Sequence, residues 1–183
     1  MAGKKLASQN ELKALIQGRD VVVVGGGKNL EYELDRDLSQ NTMIAADGTT
    51  SVLLGKGLTP HIIVTDLDGN IEDQIRANRN GAITAIHAHG DNIEQIKKWT
   101  PRFEGKIIGT AQCRPFSELH NFGGFTDGDR GVFLAQHFGA AHIHLIGFDF
   151  ENVGEKPDCD VEIKLRKLGW AKRLIKLLGI HGL

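Results

Sequence analysis

Residues 61–69 read HIIVTDLDG, an apolar run that ends in two aspartates, Asp66 and Asp68, one residue apart. The run from His61 to Val64 is typical of a buried strand, and the glycine after the acids favours a turn. Two carboxylates on such a turn can bind Mg²⁺, which prefers one or two carboxylates together with phosphate oxygens and water. A plain strand-to-helix turn would explain the same residues, so the rest of the chain must decide between the two interpretations.

The same order of strand, then glycine or acid, then helix recurs along the chain. Six strands are predicted, at 21–24, 43–46, 61–64, 82–86, 106–109 and 142–146. The clearest helices are predicted at about 8–17, 30–38, 49–54, 129–138 and 162–178. This alternation indicates an α/β fold with a doubly wound, largely parallel sheet flanked by helices.

Length and charge narrow the function classes. The 183 residues suit a single catalytic domain over 1–183, with an N-terminal helix in 1–18, a core over 21–150 and a C-terminal helix in 160–180. A net charge of -1 gives no general reason to bind nucleic acid or an acidic membrane, and the basic residues of the last helix are interpreted as a solvated face.

Cysteine content and hydropathy predict the compartment. The two cysteines, Cys113 and Cys159, lack metal-type spacing, which indicates a reducing, cytoplasmic environment. No signal peptide is recognised, and no segment approaches the roughly 20 apolar residues of a membrane span.

The carboxyl ends of parallel strands lie along one edge of the sheet, where α/β proteins bind ligands. The sequence places acids, glycines, histidines and amides at this carboxyl edge: Gly25, Gly26, Gly27, Asp47, Asp66, Asp68, His87, His89, Asp91, Thr110, Gln112 and Asp149. Clustered carboxylates raise one another's pKa unless a cation offsets their charge. Bound metal is therefore the simplest explanation for the four aspartates from Asp47 to Asp91.

Two features of this edge have open alternatives. The glycines at 25–27 allow backbone amides to approach a phosphate, but glycine after a first strand is common in doubly wound folds. His87 and His89 suggest zinc, which is disfavoured because no cysteine or third histidine accompanies them. His89 is expected to bind phosphate or substrate, and His87 is interpreted as a partly buried histidine with its hydrogen bonds satisfied.

Residues 121–130 read NFGGFTDGDR and precede a predicted helix. Glycine pairs, a threonine, acids and an arginine at that position predict an anion-binding helix N-terminus with a charged clamp. A simple helix cap with a surface pair of Asp129 and Arg130 is the alternative. Phe122 and Phe125, if exposed beside these polar groups, suit a flat heterocycle.

These motifs together resemble a known family. Asp47-Gly48, Pro60 and Asp66-Leu67-Asp68 look like the thiamine pyrophosphokinase pattern. The further motifs are similar to those of the archaeal 6-hydroxymethyl-7,8-dihydropterin pyrophosphokinase family: HAHGDN at 87–92, GTAQ at 109–112, NFGGFTDGDR at 121–130 and LIGFDF at 145–150. The resemblance covers roughly 21–150. The thiamine enzymes end in a β-sandwich domain and this chain in a helix, which argues against thiamine as substrate.

The resemblance implies a Rossmann-like fold and transfer of diphosphate from ATP to a reduced pterin alcohol, with AMP released. By analogy, Asp66, Asp68 and Asp91 would bind Mg²⁺, and Asp47 would join them through water or contact the substrate. Arg130 would stabilise developing charge, and His89 is the nearest candidate for a general base. Nucleotide contacts are expected from Gly25, Gly26, Gly27, Thr110, Gln112, Thr126, Asp127 and Asp129. Pterin contacts are expected from Asp47, Asn121, Phe125 and Asp149, with Gln112 as a further candidate.

Three other functions are consistent with the sequence. A sugar-nucleotide-dependent glycosyltransferase also uses a D-x-D carboxylate pair, thiamine pyrophosphokinase shares the D-x-D turn, and a non-catalytic nucleotide-binding module needs only part of the edge. The folate or methanopterin type of pathway stays open. A homodimer is an expectation from the thiamine relatives only.

Overall fold

The computed structural model describes residues 5–152 and 160–180. Seven parallel strands form one sheet in the order β6-β5-β4-β3-β2-β1-β7. The strands are β1 (Asp20–Val24), β2 (Thr42–Ala46), β3 (Ile62–Thr65), β4 (Ile83–Ala88), β5 (Ile107–Ala111), β6 (Leu119–His120) and β7 (His142–Ile146). The α/β doubly wound fold predicted from the sequence is confirmed.

Helices connect the strands. They are α1 (Gln9–Ile16), α2 (Leu30–Glu33), α3 (Thr49–Gly55), α4 (Ile71–Arg79), α5 (Ile93–Trp99), α6 (Asp127–His137) and α7 (Val161–Leu177), with a 3₁₀ turn at Thr100–Arg102. Ser8 and Glu11 close the expected capping box at the start of α1. The predicted helix at 30–38 is a single turn that ends at Glu33.

Two apolar layers enclose the sheet. The side chains of β1 alternate, so that Val21 and Val23 pack with α1, α6 and α7 while Val22 and Val24 pack with α2 and α3. The helices α4 and α5 pack farther along that second face, around Phe103. Burial of β1 on both faces therefore explains its unbroken run of valines.

The helix α6 crosses one face of the sheet and returns the chain from β6 to β7, on the far side of β1. Gly131 allows close packing, because a Cβ there would lie 3.0 Å from Val23 Cγ1 and 3.2 Å from Ile44 Cγ2. Since α6 runs against the strands, its first residues lie at the carboxyl edge. The loop at 121–130 is thereby brought above the ends of β2 and β3.

The last helix, α7, packs on α6 through Ala171 and Ile175. Within the described parts of the chain, every helix is too short or too polar to cross a membrane.

Candidate functional site

Three carboxylates meet at the carboxyl edge. One oxygen each from Asp47, Asp66 and Asp68 lies within 4.8 Å of the other two. Asp47 follows β2, and the other two form the turn after β3. We call these three residues the acidic cluster.

Strained turns bring the cluster together. Asp47 and Leu67 both have positive φ, 44° and 69°, which is uncommon for residues other than glycine. Leu67 is fully buried in the layer beneath, so the turn holds its two flanking aspartates against the sheet edge. Gly69 leaves room for the Asp47 carboxylate, because a Cβ at Gly69 would lie 2.9 Å from Asp47 Cγ.

Asp47 is oriented by two buried neighbours. Its Oδ1 accepts hydrogen bonds from Thr65 Oγ1 at 2.6 Å and from Gln74 Nε2 at 2.8 Å. The other oxygen, Oδ2, points toward Gly69 and the D-x-D turn. Thr65 also accepts from the Leu67 amide, so one hydroxyl supports both turns.

Burial and neighbouring charges disfavour the ionised forms of two acids at this edge, Asp47 and Asp127. Burial raises the pKa of Asp47, and Asp68 raises it further against the hydrogen bond from Thr65. Asp127, the first residue of α6, has a pKa well above its ordinary value because of burial and then of Asp66, Asp47 and Asp68. Four acids therefore share this edge at close range.

Asp66 has one free oxygen. Its Oδ1 is buried and has no hydrogen-bond partner within the described residues, whereas Oδ2 lies 3.5 Å from His89 Nε2. Asn92 fixes the backbone around this pair, since its Nδ2 donates to the carbonyls of Asp66 and His87 at 2.8 and 2.7 Å. The His89 amide donates to Asn92 Oδ1.

The donor set fits a hard divalent cation. Carboxylate oxygens are preferred ligands of Mg²⁺, and an orphaned buried oxygen beside mutually repelling acids is the environment that such an ion would relieve. Among the described residues, Asp91 is exposed and stands outside the acidic cluster. Its predicted metal role therefore remains a prediction.

The start of α6 faces the acidic cluster. Asp129 is fully buried, and its carboxylate accepts from the amides of Phe125 and Thr126 at 2.6 and 2.7 Å, and from the Thr126 hydroxyl. These bonds form a capping box, so the Asp129 carboxylate and the Thr126 hydroxyl are used in hydrogen bonds within the loop itself. The alternative interpretation, a surface pair of Asp129 and Arg130, is excluded because both residues are buried.

Arg130 lies between the helix and the sheet with only 8% of its surface exposed. Within residues 5–152 and 160–180 its guanidinium has neither an ion pair nor a hydrogen bond. Burial lowers its pKa, while the charges of Asp127, Asp129 and Asp66 oppose the shift. Gly124 (φ +85°) allows this placement, since a Cβ there would lie 2.6 Å from Arg130 Cα.

The glycines after β1 pack against the end of β7. A Cβ at Gly25 or Gly27 would lie 2.8 Å from the carbonyl oxygen of Gly147. Tight backbone packing thus accounts for both glycines, and Gly26 is the exposed member of the three. Asp149 caps its own turn by accepting from the amides of Glu151 and Asn152, which lowers its pKa.

The remaining predicted residues lie on the β5 side of the edge. Thr110 is buried against His87, Gln112 is exposed, and Asn121 accepts from the Gly123 amide within its loop. Phe125 is 44% exposed, as expected. The expected exposure of Phe122 is wrong: it is half-buried against the apolar layer, where its ring stacks on His120 and makes tilted contacts with His137 and Phe138.

Sequence reasoning missed Thr65, Gln74 and Asn92 as supports of the site. A signal for Gln74 exists, because it occupies a core position of α4 between Ile71 and Ile75. A fully buried amide on an apolar helix stripe indicates a specific polar partner. Asn92 ends the quoted HAHGDN motif without any distinguishing pattern of its own.

Fold and site define a doubly wound α/β protein whose carboxyl edge brings an acidic cluster opposite a helix N-terminus. Residues 3–155 match the family model described as 6-hydroxymethylpterin diphosphokinase MptE-like. The chain belongs to this MptE-like family, as its sequence motifs predicted.

Three curated relatives are named 6-hydroxymethyl-7,8-dihydropterin pyrophosphokinase. The protein of Methanothermobacter thermautotrophicus is 45% identical over 91% of this chain and 77% of its own length. The proteins of Methanocaldococcus jannaschii and Pyrococcus furiosus are 40% and 43% identical, over 92% and 95% of this chain and 78% of each relative.

The fold is shared with a solved structure. The MAf glycosyltransferase of Magnetospirillum magneticum AMB-1 superposes with a TM-score of 0.59 at 14% identity, over 93% of this chain and 33% of that protein. At this identity the likeness concerns the fold alone.

Proposed function

We propose that this protein catalyses Mg²⁺-dependent transfer of diphosphate from ATP to 6-hydroxymethyl-7,8-dihydropterin. The hydroxymethyl oxygen would form a bond to the β-phosphorus of ATP, and the bond from that phosphorus to the α-β bridging oxygen would break. The products are AMP, the pterin diphosphate and the proton of the hydroxyl group. The names of the three relatives support the pterin substrate and the diphosphate transfer.

One observation carries the proposal: the acidic cluster, with its orphaned Asp66 oxygen, lies near Arg130, which forms no direct ion pair within the described residues. Phosphoryl transfer needs opposite charge around the transferring group and accurate placement more than covalent chemistry. The cation-binding side and the buried guanidinium supply these two needs from opposite directions.

Each residue of the site has a proposed task. Asp47, Asp66 and Asp68 would hold the cation, which supplies charge neutralisation on the transferring diphosphate. Arg130 would bind phosphate oxygens through its forked N–H groups. The N-terminus of α6 adds the positive end of a helix dipole. His89 would accept the hydroxyl proton, which is supported by its Nε2 lying 3.5 Å from Asp66 Oδ2.

The pterin would bind beside the start of α6. Phe125, exposed at the helix start, offers a flat apolar surface for the pterin ring, and Asn121 and Gln112 offer amides. The product would serve reduced-pterin biosynthesis, of the tetrahydrofolate or methanopterin type, in the cytoplasm.

The test is an incubation of the purified protein with ATP, Mg²⁺ and the pterin alcohol, followed by chromatography of AMP and ADP. We expect AMP in a one-to-one ratio with pterin diphosphate, and loss of both in Asp66→Asn and Asp68→Asn. Asp20→Asn is the matched control, because Asp20 is an exposed carboxylate that begins β1 at the opposite edge and pairs with His142.

Other outcomes overturn parts of the proposal. ADP in place of AMP would make the protein a simple kinase. Binding of ATP without turnover, whatever the pterin concentration, would contradict the pterin assignment and favour a nucleotide-binding module or a sugar-nucleotide enzyme. Full activity in Asp66→Asn would show that the reaction does not need the acidic cluster.

A further inference from the structure

The neighbours of His87 favour one tautomer of its ring. Its Nδ1 lies 3.1 Å from Thr110 Oγ1, and the Thr110 hydroxyl donates to the Ile86 carbonyl at 3.4 Å. A hydroxyl has one proton, so a hydroxyl that donates to the carbonyl accepts from His87. This arrangement favours the neutral tautomer with the proton on Nδ1 and a lone pair on Nε2.

That lone pair has no donor within the described residues. His87 is 3% exposed, and its Nε2 is a buried atom without a hydrogen-bond partner. Nε2 is not protonated at neutral pH, because burial and then the charges of Arg130 and His89 lower the pKa of His87 to about 4. At neutral pH, Nε2 is thus a buried hydrogen-bond acceptor that has no donor among the described residues.

Arg130 is the complementary group. It lines a small cavity of about 20 Å³ together with Thr110, the residue that fixes His87, and its charge acts on His87 directly. The five N–H donors of its guanidinium have no acceptor in the described chain. A buried acceptor without a donor therefore lies within the electrostatic reach of a guanidinium without an acceptor.

We propose that His87 positions Arg130: Nε2 accepts a hydrogen bond from the guanidinium and directs its remaining N–H groups toward the phosphates of the nucleotide. With nucleotide bound, the chain of hydrogen bonds runs from the Ile86 carbonyl through Thr110 and His87 to Arg130; its last link, from Arg130 to His87, is not formed in the structure. The chain then anchors a long side chain to the central strands β4 and β5. His87 acts through Arg130 and does not touch the substrate.

This inference rests on the proposed function in one respect, the binding of a nucleotide by Arg130. The hydrogen-bond chain itself is independent of any pterin chemistry. Two measurements therefore separate failure of the inference from failure of the proposed function.

The first measurement is long-range ¹H–¹⁵N NMR of the histidine rings at pH 7. We expect the Nδ1–H tautomer for His87. His61 is the internal control with the opposite tautomer, because its Nδ1 accepts from the Met43 amide at 3.0 Å. Addition of Mg²⁺ with α,β-methylene-ATP should shift the Nε2 signal of His87, and Arg130→Gln should abolish that shift. An Nε2–H tautomer for His87 would overturn the proposal.

The second measurement is a double-mutant cycle on ATP turnover. His87→Leu should lower kcat/KM for ATP about tenfold or more, the usual loss for one hydrogen bond to a charged group. His87→Gln, which retains an acceptor near the Nε2 position, should recover much of this loss. In an Arg130→Gln background, His87→Leu should have little further effect.

The outcomes are distinct. Independent, multiplicative losses for His87 and Arg130 would overturn the positioning role, as would equal loss in His87→Leu and the control His61→Leu. Absence of any nucleotide-induced NMR change, with the Nδ1–H tautomer present and no ATP turnover, would refute the proposed function together with nucleotide-dependent positioning.

Discussion

The Cα of Gly69 packs directly against the carboxylate of Asp47, and a Cβ at position 69 would lie 2.9 Å from Asp47 Cγ. The contact joins the turn after β2 to the turn after β3. Asp47 Oδ2 lies on the Gly69 side, while Oδ1 accepts hydrogen bonds from Thr65 and Gln74. The acidic cluster therefore depends on the absence of one methyl group.

Replacing Gly69 by alanine should displace the Asp47 carboxylate. We expect divalent cation affinity, measured by Mn²⁺ titration with EPR detection, to fall about 10- to 100-fold, as for other changes beside metal ligands. Gly55→Ala in α3 is the control, since its Cβ would meet no atom within 4 Å. Equal affinity of Gly69→Ala and wild type would contradict this contact.

Gln74→Leu should weaken cation binding without lowering the stability of the fold. The leucine would join Ile71 and Ile75 in the apolar stripe of α4 and remove the buried Gln74 Oε1, which has no partner in the described residues. Stability in urea is expected to hold or rise, whereas Mn²⁺ affinity should fall about tenfold because Asp47 loses a donor. Parallel loss of both properties would show that Gln74 acts only in packing.

Asp47 and Asp127 should contribute less stability to the metal-free protein as pH rises. The folded-state pKa values of Asp47 and Asp127 lie above the unfolded value of 3.8, so the folded state binds their protons more tightly. Their contribution is most favourable below that value and is lost as pH rises through the folded-state pKa. Asp127→Asn should therefore stabilise the protein in EDTA at pH 7 and have little effect at pH 4, by urea unfolding.

Added Mg²⁺ should reverse this trend, with a larger stabilisation of wild type at pH 7 than at pH 5. A uniform effect of Asp127→Asn at all pH values would contradict the charge repulsion.

Asp129 should be a stability residue. Asp129→Asn converts one acceptor oxygen of the capping box into a donor that faces backbone amides, at an expected cost of about 1 to 3 kcal/mol in the free energy of unfolding. Asp35→Asn, which alters only an exposed pair with Lys56, should change stability by less than about 0.5 kcal/mol. Similar values for both variants would refute the buried box.

Asn92→Asp should disturb the Asp66 backbone and the His87–His89 strand end together. Its new oxygen would face the carbonyls of Asp66 and His87 in place of an N–H donor. We expect a loss of about 2 kcal/mol or more in stability and a parallel fall in ATP turnover. Asn80→Asp, at the exposed end of α4, is the matched control and should behave as wild type.

The sequence predicted most of the sheet because its signals are local. The valine run of β1 and the acids after β2 and β3 needed no tertiary information. The two-residue β6 lies in a polar stretch, and α5 has no buried residue, so neither has a strong pattern. The stripe of α4 is interrupted by Gln74 and Asn78, whose amides bond elsewhere in the fold.

The sequence predicted which edge of the sheet carries the site, but not which side chains there contact one another. Strand ends determine that Asp47, Asp66, Asp68 and Asp91 share the carboxyl edge. Which of them converge depends on left-handed turns at Asp47 and Leu67 and on the space at Gly69, none of which a residue pattern encodes. Asp91 follows the same kind of strand and points to solvent.

Anomalous diffraction from crystals grown with Mn²⁺ and α,β-methylene-ATP would test directly whether Asp47, Asp66 and Asp68 jointly bind the cation of the reaction. We predict a manganese peak about 2.1 to 2.2 Å from an oxygen of each residue, with phosphate oxygens completing the shell and Arg130 on the opposite side of the phosphates. A peak bound by Asp91 without Asp47, or no peak at this edge of the sheet, would contradict the acidic cluster as the metal site.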